Sequence, residues 1–169
     1  QNYIGEAKRA ANIQINELKK IKKIFNKSFI KAVDLILNCK GKIIFAGIGK
    51  SGLIARKISA TFSSVGLPSF FCDPGTARHG DMGQIEKKDV LLIFSYSGNS
   101  EELSEMLNFA NRFGTRVIGI ASSKNSILLK ASDIKLLLPK VKEADTTGIV
   151  PTSSTTITLV VGDALCTAI

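Results

Sequence analysis

An α/β chain, with an open, doubly wound parallel sheet of about five strands preceded by an N-terminal helical segment, is the architecture this sequence predicts. Three observations carry it. Short apolar runs of strand length recur at 42–46, 69–72, 90–94, 116–121 and 134–138. Stretches with helical spacing separate them, as at Leu103, Met106, Leu107 and Ala110. Loops rich in Gly, Ser and Thr follow several of the runs and open directly into helices. Ligands of such sheets sit outside the carboxyl ends of the strands. The loops at 47–52, 95–100 and 139–151 and the hydroxyl run at 152–156 should therefore gather at one rim.

Taken in order, residues 3–38 read as helical, with a break near Asn26-Lys27-Ser28, and residues 1–40 as a unit packing on the domain formed by 41–169. The first strand leads through Gly47-Ile48-Gly49-Lys50-Ser51-Gly52 into a helix ending near Val65. Asp73-Pro74-Gly75 turns the chain after the second strand, into a loop that carries the lone histidine, His79. The third strand runs into Ser95-Tyr96-Ser97-Gly98-Asn99-Ser100 and a helix that Gly114 is placed to stop. A short helix over 126–130, the fifth strand, a polar loop and a last helix complete the chain.

At 169 residues, 44% of them hydrophobic, one domain with a real core is the natural reading. No apolar run approaches the roughly 18–20 residues that span a bilayer, so a membrane is not an expected partner. The net charge of +9 is concentrated at the start: residues 1–40 hold nine Lys/Arg against three Asp/Glu. Those lysines interleave with Ile15, Leu18, Ile21, Ile24 and Phe25, the pattern of a helix with a solvated basic face. Without a groove-fitting motif it does not predict nucleic-acid binding. Cys39, Cys72 and Cys166 are widely spaced in apolar surroundings and read as free thiols of a reducing, cytoplasmic compartment. The chain starts on Gln1 and stops within an apolar helical pattern at Ile169, as a piece of something longer would.

The loop at 95–102 supports two readings. Ser95, Ser97 and Ser100 beside a helix start form a phosphate cradle, with no carboxylate before Glu101. Equally, Asn99 is an N-cap with Glu102 as its capping-box partner. Gly47-x-Gly49-x-x-Gly52 with Asp73 matches a dinucleotide fingerprint, but Lys50 and Ser51 crowd its turn, and close strand–helix packing explains the glycines as well. A Walker A loop is excluded, because its first glycine would fall on Ile44. Lys50 at a helix start works against the helix dipole, a cost that an anionic ligand relieves and a solvated lysine simply bears. His79 sits among small and polar residues, as a substrate contact or an ordinary loop side chain. One histidine makes a zinc site within one chain improbable. Glu143 in the 139–151 loop is a solvent-exposed glutamate or, with Glu102, half of a carboxylate pair suited to proton transfer next to a carbonyl.

In combination, Gly47–Gly52, Pro68–Phe71, His79-Gly80-Asp81, Ser95-x-Ser97-Gly98, Lys142-Glu143-Ala144 and Pro151–Thr156 resemble the sugar isomerase (SIS) domain, and within it the D-arabinose 5-phosphate isomerase family. The similarity runs in order from about residue 3 to 169. It implies a flavodoxin-like SIS fold, no cofactor, a homotetramer with sites at subunit boundaries, and reversible conversion of D-ribulose 5-phosphate to D-arabinose 5-phosphate, a step that feeds Kdo and lipopolysaccharide synthesis. The resemblance puts the family's catalytic lysine and glutamates on Lys50, Glu102 and Glu143. It puts substrate contacts on Ser51, Gly75, Thr76, His79, Ser95, Ser97, Gly98, Asn99, Ser100, Thr152 and Ser153, with His79 also the position of a metal contact. Asn99 stands where the family usually has Glu, and the family's further functional histidine and cystathionine-β-synthase-type domains lie beyond Ile169. A non-catalytic sugar-phosphate sensor and an isomerase of another ketose phosphate are the rival readings.

Overall fold

The computed structural model describes residues 2–169. Five parallel strands form one sheet: β1 (Ile43–Gly47), β2 (Ser69–Phe71), β3 (Val90–Phe94), β4 (Arg116–Ala121) and β5 (Ile134–Leu137), in the order β2-β1-β3-β4-β5. Every residue of β1 and β3 is buried, which is why both read as continuous apolar runs instead of alternating ones. Their side chains alternate between two cores. Ile43, Phe45, Val90, Leu92 and Phe94 face the helices α2 (Lys27–Leu37), α3 (Gly49–Ser64) and α7 (Ser153–Thr167). Ile44, Leu91 and Ile93 face α5 (Glu102–Phe113), with the short helices α4 (Pro74–Ala77) and α6 (Ile127–Ala131) beside it.

The N-terminal segment departs from continuous helix. Helix α1 (Tyr3–Leu18) passes into a 3-10 turn over Lys19–Ile24, and α2 starts anew at Lys27. Asn26 makes the break in extended geometry: its Oδ1 accepts from Ser28 N–H (2.8 Å) and its Nδ2 donates to the Lys23 carbonyl (3.0 Å). The tighter 3-10 winding still buries Ile21 and Ile24 and leaves the lysines outside. Two other stretches expected as turn and loop are helical. Asp73 caps α4 through Gly75 N–H (2.9 Å), with Pro74 at its first position, and Asp81–Gln84 forms a 3-10 turn. Gly114 ends α5 in the left-handed conformation, as its position in the sequence suggests.

At the amino ends of the strands, Asp89 ties β1 to β3. Its fully buried carboxylate accepts from Lys42 N–H (2.9 Å), Glu86 N–H (2.8 Å) and the Lys42 ammonium (2.8 Å). Burial pushes the Asp89 carboxyl upward, but the bonds from Lys42 and Glu86 outweigh it and hold it below the usual carboxylate range. Removing the carboxylate takes the acceptor from the Lys42 and Glu86 N–H groups, while the partly exposed Lys42 ammonium keeps Glu86 (3.3 Å). Asp89→Ala is therefore expected to cost about 1–3 kcal/mol, read as a lower urea midpoint. Because the folded value is depressed, the stability Asp89 contributes is present above the unfolded value and is lost as pH falls through the folded one. The variant should thus lose more at neutral pH than in acid.

Candidate functional site

The strand order reverses direction between β1 and β3, and the carboxyl ends of these two strands open into a cleft of about 520 Å³. Ser95, Tyr96, Ser97 and Ser100 line one wall, Ile48, Lys50, Ser51 and Ile54 another, and Val141, Glu143, Ser154, Thr155 and Thr158 a third.

The first wall follows β3 directly. Gly98 takes φ +73°, and a Cβ there would lie 2.4 Å from Ser126 Oγ, so the loop closes on α6 only with glycine. Ser95 Oγ accepts from Gly98 N–H (3.1 Å) and Ser97 Oγ from Asn99 N–H (3.3 Å), leaving both hydroxyl protons to donate elsewhere. The capping-box reading fails here. Glu101 occupies the cap position of α5 with no side-chain bond to the helix, while Asn99 Oδ1 accepts from Ile127 N–H (3.0 Å). Asn99 thus joins the serine loop to α6, and no side chain caps the start of α5.

Glycine spacing in the second wall has a packing cause: a Cβ on Gly52 would sit 2.5 Å from the Gly47 carbonyl. Helix α3 consequently starts hard against the end of β1, with Lys50 and Ser51 in its first turn. Lys50 is exposed and, among the described residues, makes no ion pair.

Glu143 in the third wall is half-buried, and its Oε2 accepts from Thr152 N–H (2.7 Å), Thr152 Oγ1 (2.9 Å) and Ser154 N–H (3.3 Å) at the start of α7. Thr152 Oγ1 in turn accepts from Ala144 N–H (2.7 Å). Burial pushes the Glu143 carboxyl up, but the hydrogen bonds from Ser154 and Thr152 together outweigh it and hold it below the usual range. It is ionised through the neutral range, and among the described residues Lys50 is the one cationic side chain lining the same cleft.

The remaining predicted residues fall elsewhere. Glu102 borders a separate depression with Pro74, Gly75, Arg78 and Glu105, so one chain does not bring Glu102 and Glu143 together. Thr76 borders a third cavity beside Arg56, Phe71 and Asp81. His79 is exposed on the turn after α4, and the described residues hold no cluster of three or more His, Cys, Asp or Glu side chains that could take a metal. Ser153 is buried, and its Oγ has no hydrogen-bond partner. The sequence placed the stretches holding Tyr96, Val141, Ser154 and Thr155 at this rim without singling those residues out, and passed over Thr158. Thr155 and Thr158 lie three apart on α7, a spacing that could have flagged a shared face.

Residues 36–168 match the SIS domain. The chain belongs to the SIS domain family. It is 42% identical to the arabinose 5-phosphate isomerase of Francisella tularensis subsp. tularensis over 171 residues, covering 99% of this chain and 52% of that protein. Against the arabinose 5-phosphate isomerase of Pseudomonas aeruginosa it is 39% identical over 168 residues, again covering 99% of this chain and 52% of the relative. The chain thus spans about half the length of the curated relatives it matches. An E. coli CFT073 protein solved in complex with arabinose 5-phosphate superposes with a TM-score of 0.94 at 35% identity, covering 99% of this chain and 89% of that one.

Thr152→Val in this SIS domain removes the hydroxyl that serves both Glu143 and Ala144. The Glu143 carboxyl is expected to titrate higher, followed by carboxyl-carbon NMR. Stability should fall by about 1–3 kcal/mol, with less of it lost on acidification because less of the downward shift remains.

Proposed function

We propose that this protein is an aldose–ketose isomerase that interconverts D-ribulose 5-phosphate and D-arabinose 5-phosphate through an enediol, a step that feeds the synthesis of Kdo for lipopolysaccharide. One observation carries the reading: a serine loop with unspent hydroxyl protons, a lysine free of ion pairs and an ionised glutamate share one cleft. Relatives named arabinose 5-phosphate isomerase supply the substrate.

In this reading the phosphate docks on Ser95, Ser97 and Ser100 at the start of α5, with Ser51 at the start of α3, and its binding energy orients the sugar. A carboxylate removes the proton from C2 of the aldose, and the electron pair forms the C1–C2 double bond as the carbonyl oxygen at C1 becomes an oxyanion. Lys50 stabilises that charge. The C2 hydroxyl gives up its proton to the oxyanion at O1, the C2 oxygen becomes the ketone, and the electron pair of the double bond takes the proton back from the carboxyl at C1, so no electron acceptor is needed. Glu143 is the carboxylate in the cleft. Its depressed value keeps it unprotonated and ready to accept, although a base nearer neutrality would be stronger.

Glu102, Gly75, Thr76 and His79 lie off this cleft and gain a role if the protein is a homotetramer with sites at subunit boundaries, each copy completing another's site. The working compartment is the cytoplasm, where Cys39, Cys72 and Cys166 remain thiols. No helix among the described residues is long and apolar enough to cross a membrane.

Proton NMR of D-arabinose 5-phosphate in D₂O tests the chemistry. The expected result is ribulose 5-phosphate deuterated at C1 and recovered arabinose 5-phosphate deuterated at C2. Binding without either exchange would favour a sensor and sink the isomerase. Glu143→Gln should lower turnover at least about 100-fold with the fold retained. For the tetramer, mixing dissociated Glu143→Gln and Glu102→Gln subunits should restore activity that neither variant shows alone. No recovery would place both glutamates in the service of their own chain.

A further inference from the structure

The residues flanking Glu143 are held by side chains from three separate elements. Thr152 at the cap of α7 accepts from Ala144 N–H, and Glu17 of α1 accepts from Lys142 N–H (3.1 Å). The third is Tyr96, whose Oη accepts from Val141 N–H (2.8 Å) and donates to the Pro139 carbonyl (3.3 Å). Tyr96 differs from the other two in its origin, because it sits between Ser95 and Ser97 in the serine loop itself.

Its geometry suits a rigid strut. The Tyr96 carbonyl accepts from both Ser122 N–H (2.8 Å) and Ser122 Oγ (2.8 Å), which fixes the backbone end. The half-buried ring packs against the core that also receives Val141, so its two torsions are confined. The far end spends both its donor and an acceptor position on the segment that leads into Glu143. The ring also lines the cleft. Tyr96 thus links the Ser95–Ser97 backbone to Pro139 and Val141 without a freely rotating group between them.

We infer that Tyr96 is a positioning residue: through Pro139 and Val141 it converts occupation of the serine loop by a phosphate into the placement of Glu143. The inference rests on the sugar-phosphate reading of the cleft. The Tyr96 hydroxyl is spent on Pro139 and Val141, so it acts through the loop backbone.

Amide hydrogen exchange with inorganic phosphate as the probe, paired with steady-state kinetics on D-arabinose 5-phosphate, tests it. In the wild-type protein phosphate is expected to slow exchange at Val141 and Lys142. In Tyr96→Phe, phosphate should bind within about threefold of its wild-type Kd, yet that protection should vanish. The same variant should keep KM within about threefold while kcat falls roughly ten- to hundredfold, the signature of misplaced catalytic geometry. A brace that serves only folding would lower Tm and leave the response to phosphate intact. Equal phosphate protection in both proteins, or kcat in the variant within twofold of wild type, overturns the inference. The wild-type titration decides even if Tyr96→Phe does not fold, because bound phosphate with unchanged exchange at Val141 overturns it alone. Wild-type protein that neither binds phosphate nor turns over the sugar would overturn the sugar-phosphate reading and this inference together, an outcome distinct from intact turnover without coupling.

Discussion

The N–H groups at the start of α7 lack helical partners, and the Glu143 carboxylate is partly withdrawn from solvent; each meets the other's need. That contact is what gives the long connection from β5 to α7 a shape. Once Thr152 is engaged with Glu143, its hydroxyl is placed to receive Ala144 N–H, and the segment is held from both sides. Beyond it, Asp145 gathers Thr147, Ile149 and Val150 N–H groups at 3.0, 3.3 and 3.2 Å into a compact turn. The third wall of the cleft is thus built on one carboxylate. Its ionised state is part of the architecture as much as of any chemistry.

The sheet sets the other two walls. Parallel strands with crossover helices send every loop after a strand to the same rim, and the reversal of order between β1 and β3 parts the loops there. Close contact of Gly47 with Gly52 drives the first turn of α3 into that gap, and the tight Gly98 turn draws the serine loop onto α6. Two helix starts thereby point at one space, and neither α3 nor α5 satisfies its own amides with a side-chain cap. An exposed lysine at the beginning of α3 adds charge of the same sign. Glu102 and Glu105 sit in the first turn of α5, so the positive contribution at this rim comes from the start of α3 and from Lys50.

The central strands were legible because burial on both faces favours continuous apolar runs, complete in β1 and β3 and broken only by Arg116 in β4. β3 and β4 lie where their apolar runs begin and end. Stop signals were legible for the same local reason, as at Gly114. Asn99 was not, because its side chain bonds to Ile127, and a local capping rule cannot foresee a partner 28 residues away. Tyr96 was not singled out for a similar reason: a tyrosine between two serines says nothing about a loop 43 to 45 residues further on. Glu102 and Glu143 looked equivalent in sequence. Only the direction in which α5 leaves the rim separates them, since it turns Glu102 toward α4 and away from the cleft.

Helix α1 adds a last point. None of its residues is buried, and it reaches the rim through Glu17 on Lys142 N–H and Gln14 on the Thr156 hydroxyl (2.8 Å). A helix held by so little apolar contact is the kind of unit that detaches ahead of global unfolding. The sheet would be intact after it lifts, but the loop bearing Glu143 would have lost one of its three supports. Heat or mild denaturant would then silence the cleft while far-ultraviolet circular dichroism still reported a largely folded protein, so the working range of this domain is narrower than its melting curve.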